Sequence, residues 1–325
     1  MHAGQMYALE AGTTTIQSTP RPMTANRDEV LDRLRQRLTP GNGAGWGYYT
    51  GKVSRVEPTC WALLAHGSTG SLSTTGWEKF ARPHLAFLTG LQGSDGLLVE
   101  TDPTLANLTA NGLAAIVFAG QRGLIPTAML ERLHAGLVNL KGVRLEQIDP
   151  KQDSTLQGWP WVRDTFSWVE PTAWCLLATK VAGVDGRSQA TAARRAEAER
   201  LLANRMCTGG GWNYGNAVAL GQDLRAYVPT TAVALMSLQD RPSDPAVQQS
   251  LSMLESQRLA EQSAMTLALV SICLRLYGVS TDAVDERLTE AVVRSEESGN
   301  LQAVAMAMYA LSAERHQGGA FRVSQ

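Results

Sequence analysis

Residues 170–179 read Glu-Pro-Thr-Ala-Trp-Cys-Leu-Leu-Ala-Thr, and residues 57–66 read Glu-Pro-Thr-Cys-Trp-Ala-Leu-Leu-Ala-His. Two further segments open the same way: Val228-Pro-Thr followed by Thr-Ala-Val-Ala-Leu-Met, and Asp102-Pro-Thr followed by Leu-Ala-Asn-Leu-Thr-Ala-Asn. Fainter copies begin at Glu261 and Asn300. Proline suits the start of a helix, where its missing N–H is not needed, and it pushes the preceding residue out of helical geometry. Each copy therefore reads as a helix start. The stretches that follow are apolar nearly all round and rich in Ala, as in helices buried on every side.

Between these buried segments lie amphipathic ones. Asp28–Leu38 carries Val30, Leu31, Leu34 and Leu38 on one face, with Asn26 placed to cap it. Residues 77–91, 126–140, 189–203, 245–256 and 281–296 follow the same pattern. No stretch alternates with period two. Six amphipathic helices alternating with six buried ones predict an all-α fold, an α/α toroid of six hairpins with inner and outer helix rings. The domain boundaries expected are an N-terminal arm over 1–25, one toroid domain over 26–316 and a C-terminal tail over 317–325. An open solenoid would need polar-faced inner helices and atypical capping repeats, which the pattern lacks.

Composition narrows the function. Of 325 residues, 44% are hydrophobic and 18% charged, enough for a large core. The net charge of −1 argues against a nucleic-acid partner, which calls for a basic surface. No apolar run approaches ~20 residues, so no transmembrane segment is expected. The first 25 residues lack the basic-then-apolar pattern of a secretory signal. Cys60, Cys175, Cys207 and Cys273 are widely spaced, three of them among apolar residues. Buried reduced thiols and a cytoplasmic location are the expectation.

Three inner helices follow a Gly-aromatic loop: Gly45-Trp-Gly-Tyr-Tyr, Gly158-Trp-Pro-Trp and Gly209-Gly-Gly-Trp-Asn-Tyr. Phe87-Leu88, Gln92, Gly96 and Leu98 are spaced like the aromatic/Gln/Gly/Trp repeat of squalene cyclases, with Leu98 in place of Trp. Leu201-Leu202, Met206, Gly210 and Trp212 keep the spacing, with Met in place of Gln. Over about residues 26–316 the chain thus resembles the prenyltransferase and squalene cyclase repeat superfamily. The resemblance implies a toroid that handles a hydrophobic small molecule or prenyl compound.

The same resemblance points to candidate acids. Class II terpene cyclases carry Asp-x-Asp-Asp-Thr-Ala, whose middle Asp protonates an alkene. The matching stretch here is Trp168-Val-Glu-Pro-Thr-Ala173, which places Glu170 at the acid and replaces the flanking acids by Trp168 and Pro171. Protein prenyltransferases bind zinc through Asp-x-Cys and a later His. Here Thr59 and Thr172 stand where the thiolate would, and Cys60 is one residue out of phase, ~100° round the helix. No zinc site and no cofactor are expected, with magnesium only alongside a bound diphosphate.

In a closed ring the helix starts meet at one rim. The candidate catalytic residues are therefore Glu170, Glu57 and Asp102, with Glu261 at the same rim. Carboxylates also favour helix N-termini for a gain of only ~0.3–1 kcal/mol each, so position alone does not make them catalytic. Trp46, Trp159, Trp161, Trp168, Trp212 and Tyr214 are candidates for an aromatic wall able to stabilise cations. Arg163 and Arg225, with Lys52 and Arg55, suit a diphosphate or carboxylate. Asp223 sits in the same loop as Arg225. Asn107 and Asn111, four apart, share a helix face and line the lumen if that face is inward. Three readings stay open: an isoprenoid-handling enzyme with its site at this rim, a non-catalytic binding or scaffold toroid with a protein partner, and a sugar-acting lyase or hydrolase using paired carboxylates.

Overall fold

The computed structural model describes residues 27–41, 43–101, 106–147, 152–184, 188–312 and 319–323. The expected arm over 1–25, the Asn26 cap and Asp102 lie outside the described residues. The outer helices are α1 (Arg27–Arg37), α3 (Thr74–Gly90), α5 (Thr127–Asn139), α7 (Gln189–Asn204), α9 (Pro245–Gln257) and α11 (Asp282–Glu297). The inner helices are α2 (Val56–Ser68), α4 (Leu108–Gly120), α6 (Val169–Ala182), α8 (Val228–Ser237), α10 (Ala264–Leu276) and α12 (Leu301–Ser312). A two-residue hairpin, β1 (Val218–Ala219) with β2 (Gln222–Asp223), decorates the loop before α8.

The inner helices pack in the cyclic order α2, α4, α6, α8, α10, α12 and back to α2. The chain is an α/α toroid. Its two ends interlock at the seam, where α1 packs on α12 and α11. There the Arg33 Nε donates to both carboxylate oxygens of Glu296, at 3.0 and 2.8 Å.

One device recurs in three of the hairpins, between the outer helix and the inner helix after it. The Thr59 hydroxyl, four residues into α2, accepts the backbone N–H of Trp46 at 2.9 Å. Thr172 does the same for Trp159 at 2.9 Å, and Thr231 for Trp212 at 3.0 Å. Each indole Nε1 then donates to a carbonyl at the end of the outer layer: Leu38 at 2.9 Å, Leu137 at 2.8 Å and Leu202 at 2.7 Å. The ring fills the space between the layers, and both its polar groups are satisfied.

The second hairpin keeps the device with other residues. Leu98 donates its N–H to Asn111 Oδ1 at 2.7 Å, and Asn111 Nδ2 returns a bond to Leu98 O at 3.0 Å. Gln92 donates to the carbonyls of Gly96 and Met129, both at 2.8 Å. Gly96 has φ +89°, and a Cβ there would lie 2.1 Å from Arg132 O, so only glycine fits. The spaced residues that carry the family resemblance are thus packing residues.

Three expectations change. The fourth helix starts at Leu108, with Asn107 capping it, rather than at Asp102-Pro-Thr. In α8 the hydroxyl equivalent to Thr59 is Thr231, so Pro229, not Val228, stands where Glu57 stands. In α10 and α12 the positions equivalent to Glu57 are Met265 and Gln302, since these helices begin at Ala264 and Leu301. The register therefore moves off Glu261 and Asn300. Glu261 precedes the Ser263 cap of α10, and Asn300 Oδ1 accepts the Ala303 N–H at 3.0 Å.

Thr172→Val keeps the shape of the side chain but leaves the buried Trp159 amide without its acceptor. It is expected to cost about 1–3 kcal/mol in urea unfolding, with the helical circular dichroism of the folded state unchanged.

Candidate functional site

All six inner helices point their N-termini at one rim, and the second residue of each faces the same level. Going round the ring these residues are Gln302, Glu57, Thr109, Glu170, Pro229 and Met265. Four polar side chains form one continuous arc, and two apolar ones close the circle.

Glu57 is held on both oxygens. Tyr48 Oη donates to Oε2 at 2.9 Å, and Gln302 Nε2 donates to Oε1 at 2.7 Å. Gln302 comes from the last inner helix and Tyr48 from the loop before α2, so this carboxylate is fixed across the seam. Burial raises the pKa of Glu57 above the usual carboxylate range. The two donors pull it back, and the charge of Glu100 adds to the rise. Tyr48 is in turn pushed up by burial and by the charge of Glu57, so it keeps its proton and remains a donor.

Glu170 differs. No described side chain hydrogen-bonds its carboxyl. Burial pushes it up to about 7, and the negative charge of Glu57 adds to the shift. Thr109 lies on the helix between the two glutamates. It is 5% exposed, and its hydroxyl has no hydrogen-bond partner among the described residues. The arc thus offers a pinned carboxylate, a buried hydroxyl without a partner and a carboxyl that holds its proton near neutrality.

The lumen closes directly beneath. Trp61 and Trp174 lie four residues after Glu57 and Glu170, about 6 Å further along their helices. Their rings meet edge-on across the lumen with centroids 6.0 Å apart. Phe321, from the C-terminal residues, fills the space behind them, with centroids 5.5 Å from Trp61, 5.9 Å from Trp174 and 5.2 Å from Tyr309. The rim residues lie over this packed aromatic floor.

The rim loops cap the helices of the neighbouring repeat. Leu108 N donates to Trp161 O at 3.1 Å, Val169 N to Tyr214 O at 2.9 Å and Leu301 N to Tyr48 O at 2.9 Å. In the second repeat Glu100 replaces the aromatic, and its Oε1 accepts the Val56 N–H at 2.6 Å. Trp161 and Tyr214 therefore sit in loops at the rim. Trp168 does too, its ring 4.8 Å from that of exposed Phe166, and Tyr214 stands 5.2 Å from Tyr227.

Other candidates go elsewhere. Trp46, Trp159 and Trp212 are 3%, 0% and 1% exposed and lie between the helix layers, because their indole N–H groups must reach outer-layer carbonyls. They form no wall at the rim. Asn111 is spent on Leu98 and Asn107 O, and Asn107 caps α4. Neither amide faces the lumen as a binding pair. Arg163 forms an ion pair with Asp95. Asp223 is exposed on β2, Arg225 is exposed two residues beyond it, and Glu261 accepts on its carbonyl from Arg287. These charged residues are not gathered with the glutamates. Tyr48, Gln302 and Thr109 were missed by sequence reasoning. Counting to the second residue of each inner helix is the signal that finds Gln302 and Thr109.

The four cysteines are buried and reduced. Among the described residues no three His, Cys, Asp or Glu side chains come together to hold a metal, and no helix is long and apolar enough to cross a membrane.

No family model and no curated protein matches the sequence. Solved structures do share its fold. A GH76 α-mannanase from Bacteroides thetaiotaomicron superposes with a TM-score of 0.62 at 11% identity, over 90% of this chain and 97% of that one. The type II terpene cyclase MstE from Scytonema gives 0.58 at 12% identity, over 89% and 98%. A protein from Actinoplanes gives 0.54 at 13% identity, over 90% and 100%. A variant of MstE has been solved with its substrate, geranylgeranyl dihydroxybenzoate, and is similar to this chain at 0.57 and 11% identity. At these identities the likeness shows the toroid alone.

The Glu170 carboxyl binds more protons in the folded chain than in the unfolded one between about pH 4.5 and 7. Its contribution to stability is complete below about pH 4.5 and is lost as pH rises through 7. Glu170→Gln should therefore be increasingly stabilised relative to the wild type from pH 4.5 to 8. Thermal unfolding at both ends of that window measures it.

Proposed function

We propose that the rim is an acid–base site acting on a polyhydroxylated substrate such as a glycan. In this reading Glu170 donates the proton and Glu57 serves as the fixed carboxylate. The observation that carries it is the polar arc itself: two glutamates on either side of Thr109, one pinned by two donors and the other without a described partner. Carboxyls used as general acids work best with a pKa near the operating pH, and paired carboxyls with unlike surroundings divide into acid and base. The half-exposed rings of Trp161, Trp168 and Tyr214 offer flat faces to sugar rings. The filled lumen suits a substrate that lies across the rim.

Isoprenoid handling is the second reading. It is favoured by the aromatic group Phe166, Trp168, Tyr214 and Tyr227 beside Glu170, and by the fold shared with a cyclase whose substrate bears a geranylgeranyl chain. The floor of Trp61, Trp174 and Phe321 means a prenyl chain would lie over the rim rather than thread the lumen. Magnesium would enter only with a diphosphate. In a scaffold reading the same rim would receive a protein partner without chemistry.

The test is a product screen by mass spectrometry with oligosaccharides and with polyprenyl alcohols and diphosphates, the last with and without magnesium. Sugar release that falls at least 100-fold in Glu170→Gln and in Glu57→Gln, both with intact circular dichroism, is the expected result. Turnover of prenyl compounds alone would select the second reading. Full activity in Glu170→Gln would remove the acid–base proposal.

A further inference from the structure

A half-open cavity lies at the opposite face, at the C-terminal ends of α2 and α4, with a volume of about 250 Å³. Leu63, Leu64, Ile116 and Val117 supply an apolar wall, and Trp77 and Tyr309 bound it on either side. Helix packing does not require this space. Gly120, the last residue of α4, lines it with a φ outside the left-handed region, and a Cβ added there meets no atom within 4 Å. Neither backbone conformation nor crowding calls for glycine at this exposed position at the cavity mouth.

Two polar groups face this apolar volume with unused capacity. His66 lines the cavity and is 8% exposed. Its Nε2 lies 3.3 Å from Leu38 O, which assigns the ring proton to Nε2. Burial lowers the pKa of the ring and keeps it neutral. Nδ1 is then an acceptor with no hydrogen bond among the described residues. Gln121, also in the lining, accepts the Trp77 Nε1 proton on Oε1 at 3.0 Å. Its amide N–H groups have no acceptor among the described residues. One acceptor and one donor in a single apolar cavity are complementary to a hydroxyl, which both donates and accepts.

We propose that this cavity is a binding site for a small aliphatic alcohol, independent of the rim. A dry cavity of ~150 Å³ takes a benzene-sized molecule, so this volume suits about ten non-hydrogen atoms. The hydroxyl donates to His66 Nδ1 and accepts from Gln121, while the chain lies against Leu63, Ile116 and Val117.

The test is a titration of the full chain with 1-octanol, followed by calorimetry and by backbone and side-chain amide NMR. Saturable binding is expected, with shifts at Gly67, Gly120 and the Gln121 amide. In Gly120→Leu, whose side chain occupies the space, affinity should fall at least tenfold. Unchanged affinity in a folded Gly120→Leu protein would overturn the proposal. So would a lack of saturable binding, or wild-type shifts confined to rim amides. The NMR map needs no variant, so the proposal stays testable even if Gly120→Leu does not fold.

Discussion

A hydroxyl or amide oxygen at the fourth residue of an inner helix accepts the N–H of a loop residue, and in three hairpins the ring of that residue reaches an outer-helix carbonyl. Much of the toroid depends on this link. It sets the distance between the two layers, fixes where each inner helix begins and turns the adjoining loop toward the rim. A buried amide left without its acceptor is costly, whereas the bond itself contributes only ~1 kcal/mol net. The device therefore specifies register more than it adds stability. Where Asn111 replaces threonine and Leu98 replaces tryptophan, the backbone bond survives and the ring contact is given up.

Register decides chemistry at the rim. Once the fourth residue is fixed, the second is fixed too, and Glu57 and Glu170 arrive at one level on either side of α4. Helix N-termini favour negative charge by ~0.3–1 kcal/mol. A rise in pKa from 4.5 to about 7, at about 1.4 kcal/mol per unit, runs the other way and is larger. At Glu170 burial outweighs the helix end, and this carboxyl is unlike an ordinary helix-start carboxylate. The Trp61–Trp174 floor lies one helical turn beyond the acids.

The repeated x-Pro-Thr segments made the hairpin count legible, and in α2 and α6 the threonine that carries the layer link directly follows the proline. The same segments misled where a second threonine follows. In Thr230-Thr231 only the hydroxyl geometry shows which residue receives the Trp212 amide. Glu57 and Glu170 could be read as candidates from their place before Pro-Thr. Gln302 could not, because α12 has no proline to announce its start and its role appears only when the ring closes. The tryptophans were legible as a set but not by role: those that bond the outer layer and those that line the rim differ by two residues in Gly-Trp-Pro-Trp. Phe321 follows no periodic pattern, and only the fold brings it beneath the acids.

The contact that pins Glu57 joins residues 245 positions apart, and Arg27 at the start of α1 bonds Leu311 O across 284 positions. Such contacts are the slowest to form, since loop-closure entropy must be met before they add anything. A chain still emerging from the ribosome, or one cut before α12, would hold Glu57 without Gln302 and without the seam. The arc is thus completed only once α12 is in place. Only a closed ring presents it, so any chemistry at the rim is withheld from unfinished copies of the protein.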